Sequence, residues 1–331
     1  MHFDIFNNDA FSLSQLTRAI IDTPHVPGRL GQLGLFSNEP ISTTSVSIES
    51  VGSTLSLVPS AARGTPGRPM TNDKRKLVSI RTVHLPQRAS IVADEVQNLR
   101  AFGSETEVET AQNLMNKKLA KMRRDLDVTI EYQRMGAIKG QVLDADGSSV
   151  LLDMTEVFGV GPQTHNMVLG TTTTKVVQKV IDAKRKIETA LGGLMYTGLR
   201  VLCSSSFFDS LVTHAAVEKA FDRWMNGEFL REDHRGGFYF AGVYWEEYRG
   251  NASGQPFIAD GTALMLPEGV PELFVTHFSP ADYMETVNTM GLPYYAKQEL
   301  MDFNKGIMVE AQSNPISMCT RPAAIVVLSA T

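Results

Sequence analysis

Glu232, Asp233 and His234, flanked by Arg231 and Arg235, put two carboxylates and an imidazole side by side, the residue types that acid-base catalysis uses. Lying between an expected helix and an expected strand, the group is better explained as a solvated loop. Ser204, Ser205 and Ser206 offer hydroxyls, but the Gly-x-Ser-x-Gly turn that would expose a nucleophile is missing. Ser206 with Asp209 makes sense as the cap of a helix. Gly159-Val160-Gly161 has the glycines of a phosphate cradle, yet Pro162 follows and no third glycine opens a helix at the required spacing. Seven histidines are scattered without the spacing or the Cys/His clustering of a metal site. Cys203 and Cys319 are too few for a disulfide framework and are expected to be small buried thiols in a reducing compartment. The expectation is a chain without catalytic residues, cofactor or metal, and not an enzyme.

A different chemistry, ionic contact, is suggested by two runs of opposite sign. The connection PSAARGTPGRPMTNDKRK carries Arg63, Arg68, Lys74, Arg75 and Lys76 against the single acid Asp73. Glu105, Glu107 and Glu109 crowd the expected start of a helix, where the helix dipole favours negative charge. Over the whole chain the balance is only −5, so no broad attraction for nucleic acid follows from net charge.

These charges need elements to hold them. With 331 residues, 43% of them hydrophobic, the chain is long enough for a substantial core. No stretch approaches the length of a membrane span, and the opening MHFDIFNNDAF has neither the basic leader nor the apolar centre of a signal peptide, so synthesis in a cytoplasm and no membrane partner are expected. Ser12 to Asp22 is a short helix candidate, followed by HVPGRLGQLGLFSNEP, too rich in Gly and Pro for a regular element. That segment is expected to be an extended arm lying either on its own domain or on a neighbouring subunit. Residues 45 to 58 and 77 to 85 alternate as two half-buried strands, with Gly52 a candidate bulge and the basic connection as the tip of a long hairpin.

The strongest pattern follows. Ser104 and Glu107 form a capping box, and Val108, Ala111, Met115, Leu119, Met122, Leu126 and Ile130 make one apolar stripe up to Gly136. Lys117, Lys118, Lys121, Arg123 and Arg124 on the other face are expected to be solvated. Behind the helix come a hairpin with an Asp146-Gly147 turn and a helix from about Thr173 to Leu191. A strand at 199–203, a third helix ending near Asn226 and a strand at 238–248 are expected next. The strand TALMLP and another at 273–278 precede a helix from Ala281 to about Asn288, and two final strands lie within 306–328. Segregation of strands and helices argues for α+β.

This order resembles the Hong Kong 97-type capsid fold. Leu85-Pro86, RAFGSETEVE, TIEYQRMGAIKGQVLDADGS at 129–148 and, more weakly, FIADGTALMLPEG are similar to segments of the lambda-type major capsid protein family, the protein E family of tailed phages. The resemblance implies an N-terminal arm (1–40), an extended β-hairpin loop (41–88), a peripheral domain (89–171) with spine helix 105–135 and hairpin 137–154, an axial domain (172–305), and return strands (306–331). It further implies a virion protein, assembled in the host cytoplasm, whose hexamers and pentamers close into an icosahedral shell around double-stranded DNA bound without sequence specificity. A separate scaffolding protein, a portal and a decoration protein would be partners, and no covalent cross-link between subunits is expected. In that setting the basic tip (Arg63, Arg68, Lys74, Arg75, Lys76) would meet the acidic helix start (Glu105, Glu107, Glu109) of a neighbour. The nearest rival is the shell of a bacterial nanocompartment of the same fold.

Overall fold

A computed structural model describes residues 11–23, 28–50, 76–97, 107–224, 234–252 and 254–331. The chain divides into two units, one of residues 1–46, 81–134 and 275–317, the other of residues 47–80, 135–274 and 318–331.

In the first unit the helix Glu107–Lys139 supplies the organising surface. Its residues Met115, Leu119, Met122 and Leu126 recur at threes and fours, so they fall on one face and are buried there. Opposite them lies an antiparallel sheet of Tyr295–Leu300, Gly306–Ser313 and Leu85–Val92, which contributes Ala296, Ile307, Val309, Ala311 and Ile91 to the same core. Phe11, Leu16 and Ile20, in or just before the helix Leu13–Asp22, complete that core. A second sheet pairs Ser37–Pro40 in parallel with Phe274–Phe278, which in turn neighbours Pro315–Cys319.

The second unit is built on a mixed six-stranded sheet in the order Gln163–Asn166, Val326–Ser329, Thr262–Glu268, Gly198–Cys203, Val243–Glu247, Phe238–Phe240. Helix Val176–Leu191 buries Val180, Ala183, Ile187 and Leu191 and stops at Gly192, which takes the left-handed conformation. Phe207 of helix Ser205–Val212 stacks on Trp245, ring centroids 6.4 Å apart.

The sequence expectation of α+β holds, and several local expectations change. The long helix runs past Gly136. That glycine serves close approach, since a Cβ there would lie 2.8 Å from the Gln141 carbonyl oxygen, and the chain leaves the helix at Gly140 with φ +92°. The single helix expected after Cys203 is two, Ser205–Val212 and Ala215–Trp224. His214 lies between them, its ring accepting from the Ala216 N–H and meeting the Thr171 carbonyl at 3.0 Å. Ser206 does not cap the first of these helices, because its hydroxyl bonds the Asp260 carboxylate and accepts from the Gly261 N–H. The strand at 238–248 is a hairpin, turning at Ala241 and Gly242, both at positive φ as a type I′ turn requires. The helix expected from Ala281 shrinks to the turn Met284–Thr286. Thr286 donates to Ala281 O, and the Asp282 N–H donates to Gln312, bonds that compete with a helical ladder. Finally, the Gly- and Pro-rich arm contains a short helix, Arg29–Leu33, as well as the strand Ser37–Pro40.

Candidate assembly surfaces

The long helix holds the N-terminal segment with three side chains. Arg123 donates to the carbonyls of Ile20 and Ile21, completing the end of the helix Leu13–Asp22 where its carbonyls lack helical partners. The same guanidinium lies 3.5 Å from Asp127 and 4.7 Å from the centre of the Tyr294 ring, and the Tyr294 hydroxyl donates to Asp127. Burial, followed by the Asp127 charge, raises the Tyr294 pKa. Eight residues after Arg123, Glu131 accepts from the Leu30 N–H at 2.7 Å. Gly28 packs against its carboxylate, and a Cβ at that position would overlap the Glu131 side chain. Arg134 then donates to Asn38 at 2.8 Å and to the Thr276 hydroxyl at 3.2 Å, with Phe36 beneath its guanidinium. Burial lowers the Arg134 pKa. Residues 11–23 and 28–40 thus make contacts with the long helix of their own chain.

Sequence reasoning assigned Arg123 to the solvated face, and the structure turns it inward. Lys118 is also engaged, 3.1 Å from Glu95. Arg123 and Arg134 flank the apolar stripe eleven residues apart, about three helical turns, with Glu131 on the turn between them. That flank was the available signal, and charge alone concealed it.

A second surface in this unit has the opposite character. Met284 is 88% exposed, and Val287, Met290 and Leu292 are also exposed along the segment entering the strand Tyr295–Leu300. At the far end of that strand Leu300 is exposed, and Phe303, at 90% exposure, has φ +58° in the turn to Gly306–Ser313. Polar contacts fix the segment. Glu285 pairs with Lys297 at 2.6 Å, which draws its carboxyl below the usual range. The Tyr283 hydroxyl donates to Glu310, which also pairs with Arg88. The Gly291 N–H donates to Ile41 O, and the Leu292 N–H to the Tyr295 hydroxyl. Four exposed apolar side chains within nine residues, on a backbone held at so many points, form a surface suited to contact with another protein.

Arg63, Arg68, Lys74, Arg75 and Glu105 lie outside the described residues, as do Gly52 and the capping Ser104. Lys76 opens the strand Lys76–Arg81, paired with Ser45–Ser50, and Glu107 and Glu109 fall in the first turn of the long helix. Glu232 and Asp233 are likewise outside, while His234 begins the short turn His234–Gly236. Gly159 ends the helix Met154–Phe158 in the left-handed conformation. In the second unit Arg200, 2.8 Å from Glu246, also binds Glu268 and lies over the Tyr244 ring, an ionic group set within a largely apolar sheet. Its partners sit on the two neighbouring strands, a placement the sequence does not reveal. Among the described residues no three His, Cys, Asp or Glu side chains gather as a metal site, and no helix is long and apolar enough to cross a membrane.

Known proteins resemble this chain in sequence and in fold. The sequence matches the family described as phage major capsid protein E over residues 12–330. The major capsid protein of Pseudomonas phage KPP10 is 27% identical, with 96% of each chain covered. That of Salmonella phage Felix O1 is 26% identical over 96% of this chain and 95% of the other. The crystal structure of a putative capsid protein from a prophage of E. coli CFT073 superposes with a TM-score of 0.62 at 13% identity, covering 96% of this chain and 99% of that one. The chain belongs to the phage major capsid protein E family and has the Hong Kong 97-type capsid fold. It is a structural component of a tailed-phage virion, and the family match favours this over the nanocompartment reading.

Proposed function

We propose that the chain assembles with copies of itself, as hexamers and pentamers, into an icosahedral shell that encloses a double-stranded DNA genome in the host cytoplasm. The observation that carries the reading is the pinned but uncovered apolar segment from Met284 to Leu292, within a family of shell proteins. Repeated lateral contact between identical copies is how such a patch is covered in a closed lattice. A separate scaffolding protein guides closure, a portal occupies one vertex, and a decoration protein reinforces the outside. The basic connection (Arg63, Arg68, Lys74, Arg75, Lys76) of one subunit meets Glu105, Glu107 and Glu109 of the next. Each exposed ion pair is worth only about 0.2–1 kcal/mol, but it recurs in every subunit. The shell needs no covalent link and no catalysis.

Electron microscopy of the chain, produced with its phage's scaffolding protein, should show closed shells. Strictly monomeric protein across concentration and salt would refute the proposal. Reversing Arg63 and Arg68 to Glu should leave folded subunits that close few shells, whereas normal DNA-filled shells would remove the ionic contact from it.

A further inference from the structure

We infer that the outer stripe of the long helix, Lys117, Lys121 and Arg124, is a contact for the phosphate backbone of double-stranded DNA. The inference rests on the shell reading above and assigns a ligand to one surface of the subunit.

Successive spacings of four and three place these residues on one face of the helix, and all three are exposed. The other two cations of this stretch have partners, Lys118 in Glu95 and Arg123 in the N-terminal segment. Among the described residues none forms an ion pair with Lys117, Lys121 or Arg124. Asp125 is exposed beside Arg124, yet it pairs with none of the three. Like charges four residues apart repel, so the stripe carries a repulsion that a bound polyanion would relieve. On the helix Val176–Leu191 three of the four cations are engaged among the described residues, Lys179 being the exception. There Arg185 pairs with Asp182 at 3.6 Å, Lys184 donates to Ala241 O, and Lys186 donates to Thr164 O.

The chemistry around the stripe selects the kind of polyanion. Asn116 and Asp125 border it, and among the described residues of the helix a single large apolar side chain, Val128, continues it in the open. A protein partner would be expected to find an apolar or aromatic centre, and single-stranded nucleic acid an aromatic platform for its bases. The stripe offers neither. Its cations span about 10 Å of helix axis, whereas duplex DNA presents one charge every ~1.7 Å, so phosphates are within reach in any register. Contact by charge alone suits a wall that meets every sequence in the genome. It is also compatible with a net charge of −5, because the cations are local.

The test compares soluble wild-type protein with K117Q/K121Q/R124Q, binding a short DNA duplex between 50 and 200 mM salt. Circular dichroism confirms that each variant is folded. If the three cations contact phosphates, the slope of log affinity against log salt should fall by about 2.7, so wild type loses roughly 40-fold more affinity across that range. The control K175Q/K179Q/R185Q, on the helix Val176–Leu191 and its N-cap, should leave the slope unchanged. Equal slopes for the two triple variants, or no duplex binding by wild type, would overturn the inference. So would a stripe variant that fails to form shells while keeping the wild-type slope, because the stripe would then belong to a protein partner. Absence of shells from wild type itself would count against the proposed function, whereas normal shells with an unchanged slope would count against this contact alone.

Discussion

The N-terminal segment and the segment from Met284 to Phe303 belong to the same unit and treat apolar side chains in opposite ways. Leu16, Ile20 and Leu30 are buried, Arg123 and Glu131 hold the backbone around them, and Arg134 binds the Asn38 side chain further along. Met284, Val287, Met290, Leu292, Leu300 and Phe303 are open, although the Glu285–Lys297 pair and the bonds of the Gly291 and Leu292 N–H groups hold the segment that carries the first four. Burying apolar side chains within the subunit stabilises its fold. Under the proposed function, a held segment that leaves them exposed keeps that stabilisation for association. On that reading the two segments separate folding from assembly, and substitutions should separate them too.

The largest effect should come from the shared core. Leu126→Ala removes a side chain that is 1% exposed and should destabilise the subunit by about 2–5 kcal/mol in urea unfolding. A loss comparable to a surface change would mean that the helix face is not the core. Next, Glu131→Ala leaves the Leu30 N–H without its carboxylate and should cost roughly 1–3 kcal/mol. Limited proteolysis should then cut within the first forty residues well before wild type is cut, and equal protection would deny the clamp.

The helix carrying this clamp was legible because a single apolar stripe from Met115 to Ile130 repeats at helical spacing whatever packs on it. The clamp itself was not, because Arg123 looks solvated until its partners, about a hundred residues away in the chain, are known. The turn at Met284–Thr286 has the sequence of a longer helix for the same reason. Its competing bond comes from Gln312, and local propensity carries no information about that residue. Strand Tyr295–Leu300 escaped notice because YAKQEL lacks β-branched residues, and it is a strand through its pairing with Gly306–Ser313. The ionic tip at Arg63 to Lys76 remains a proposal based on sequence.

Smaller still should be the change in thiol reactivity. Cys203 and Cys319 are fully buried, and burial pushes the Cys319 thiol up to about 12 and Cys203 well above its ordinary value. Since the thiolate is the reactive form, neither should react with an aromatic disulfide reagent at neutral pH until the chain is unfolded, when both should. A rapidly labelled thiol in the native subunit would show a looser core than described. At the bottom of the stability scale, M284K/M290K should shift unfolding by no more than about 0.5 kcal/mol, as exposed positions do. The same variant should nevertheless lose closed shells by electron microscopy, and normal shells would assign the exposed segment no part in assembly.

Methionine oxidation read by mass spectrometry tests the separation of folding from assembly most directly, because Met284 and Met290 lie on the exposed segment while Met115 and Met122 lie in the core. In dissociated, folded subunits Met284 and Met290 should oxidise quickly and the core methionines slowly. In closed shells the account predicts that Met284 and Met290 become as slow as the core pair. Equal rates for Met284 and Met290 in subunits and shells would contradict it.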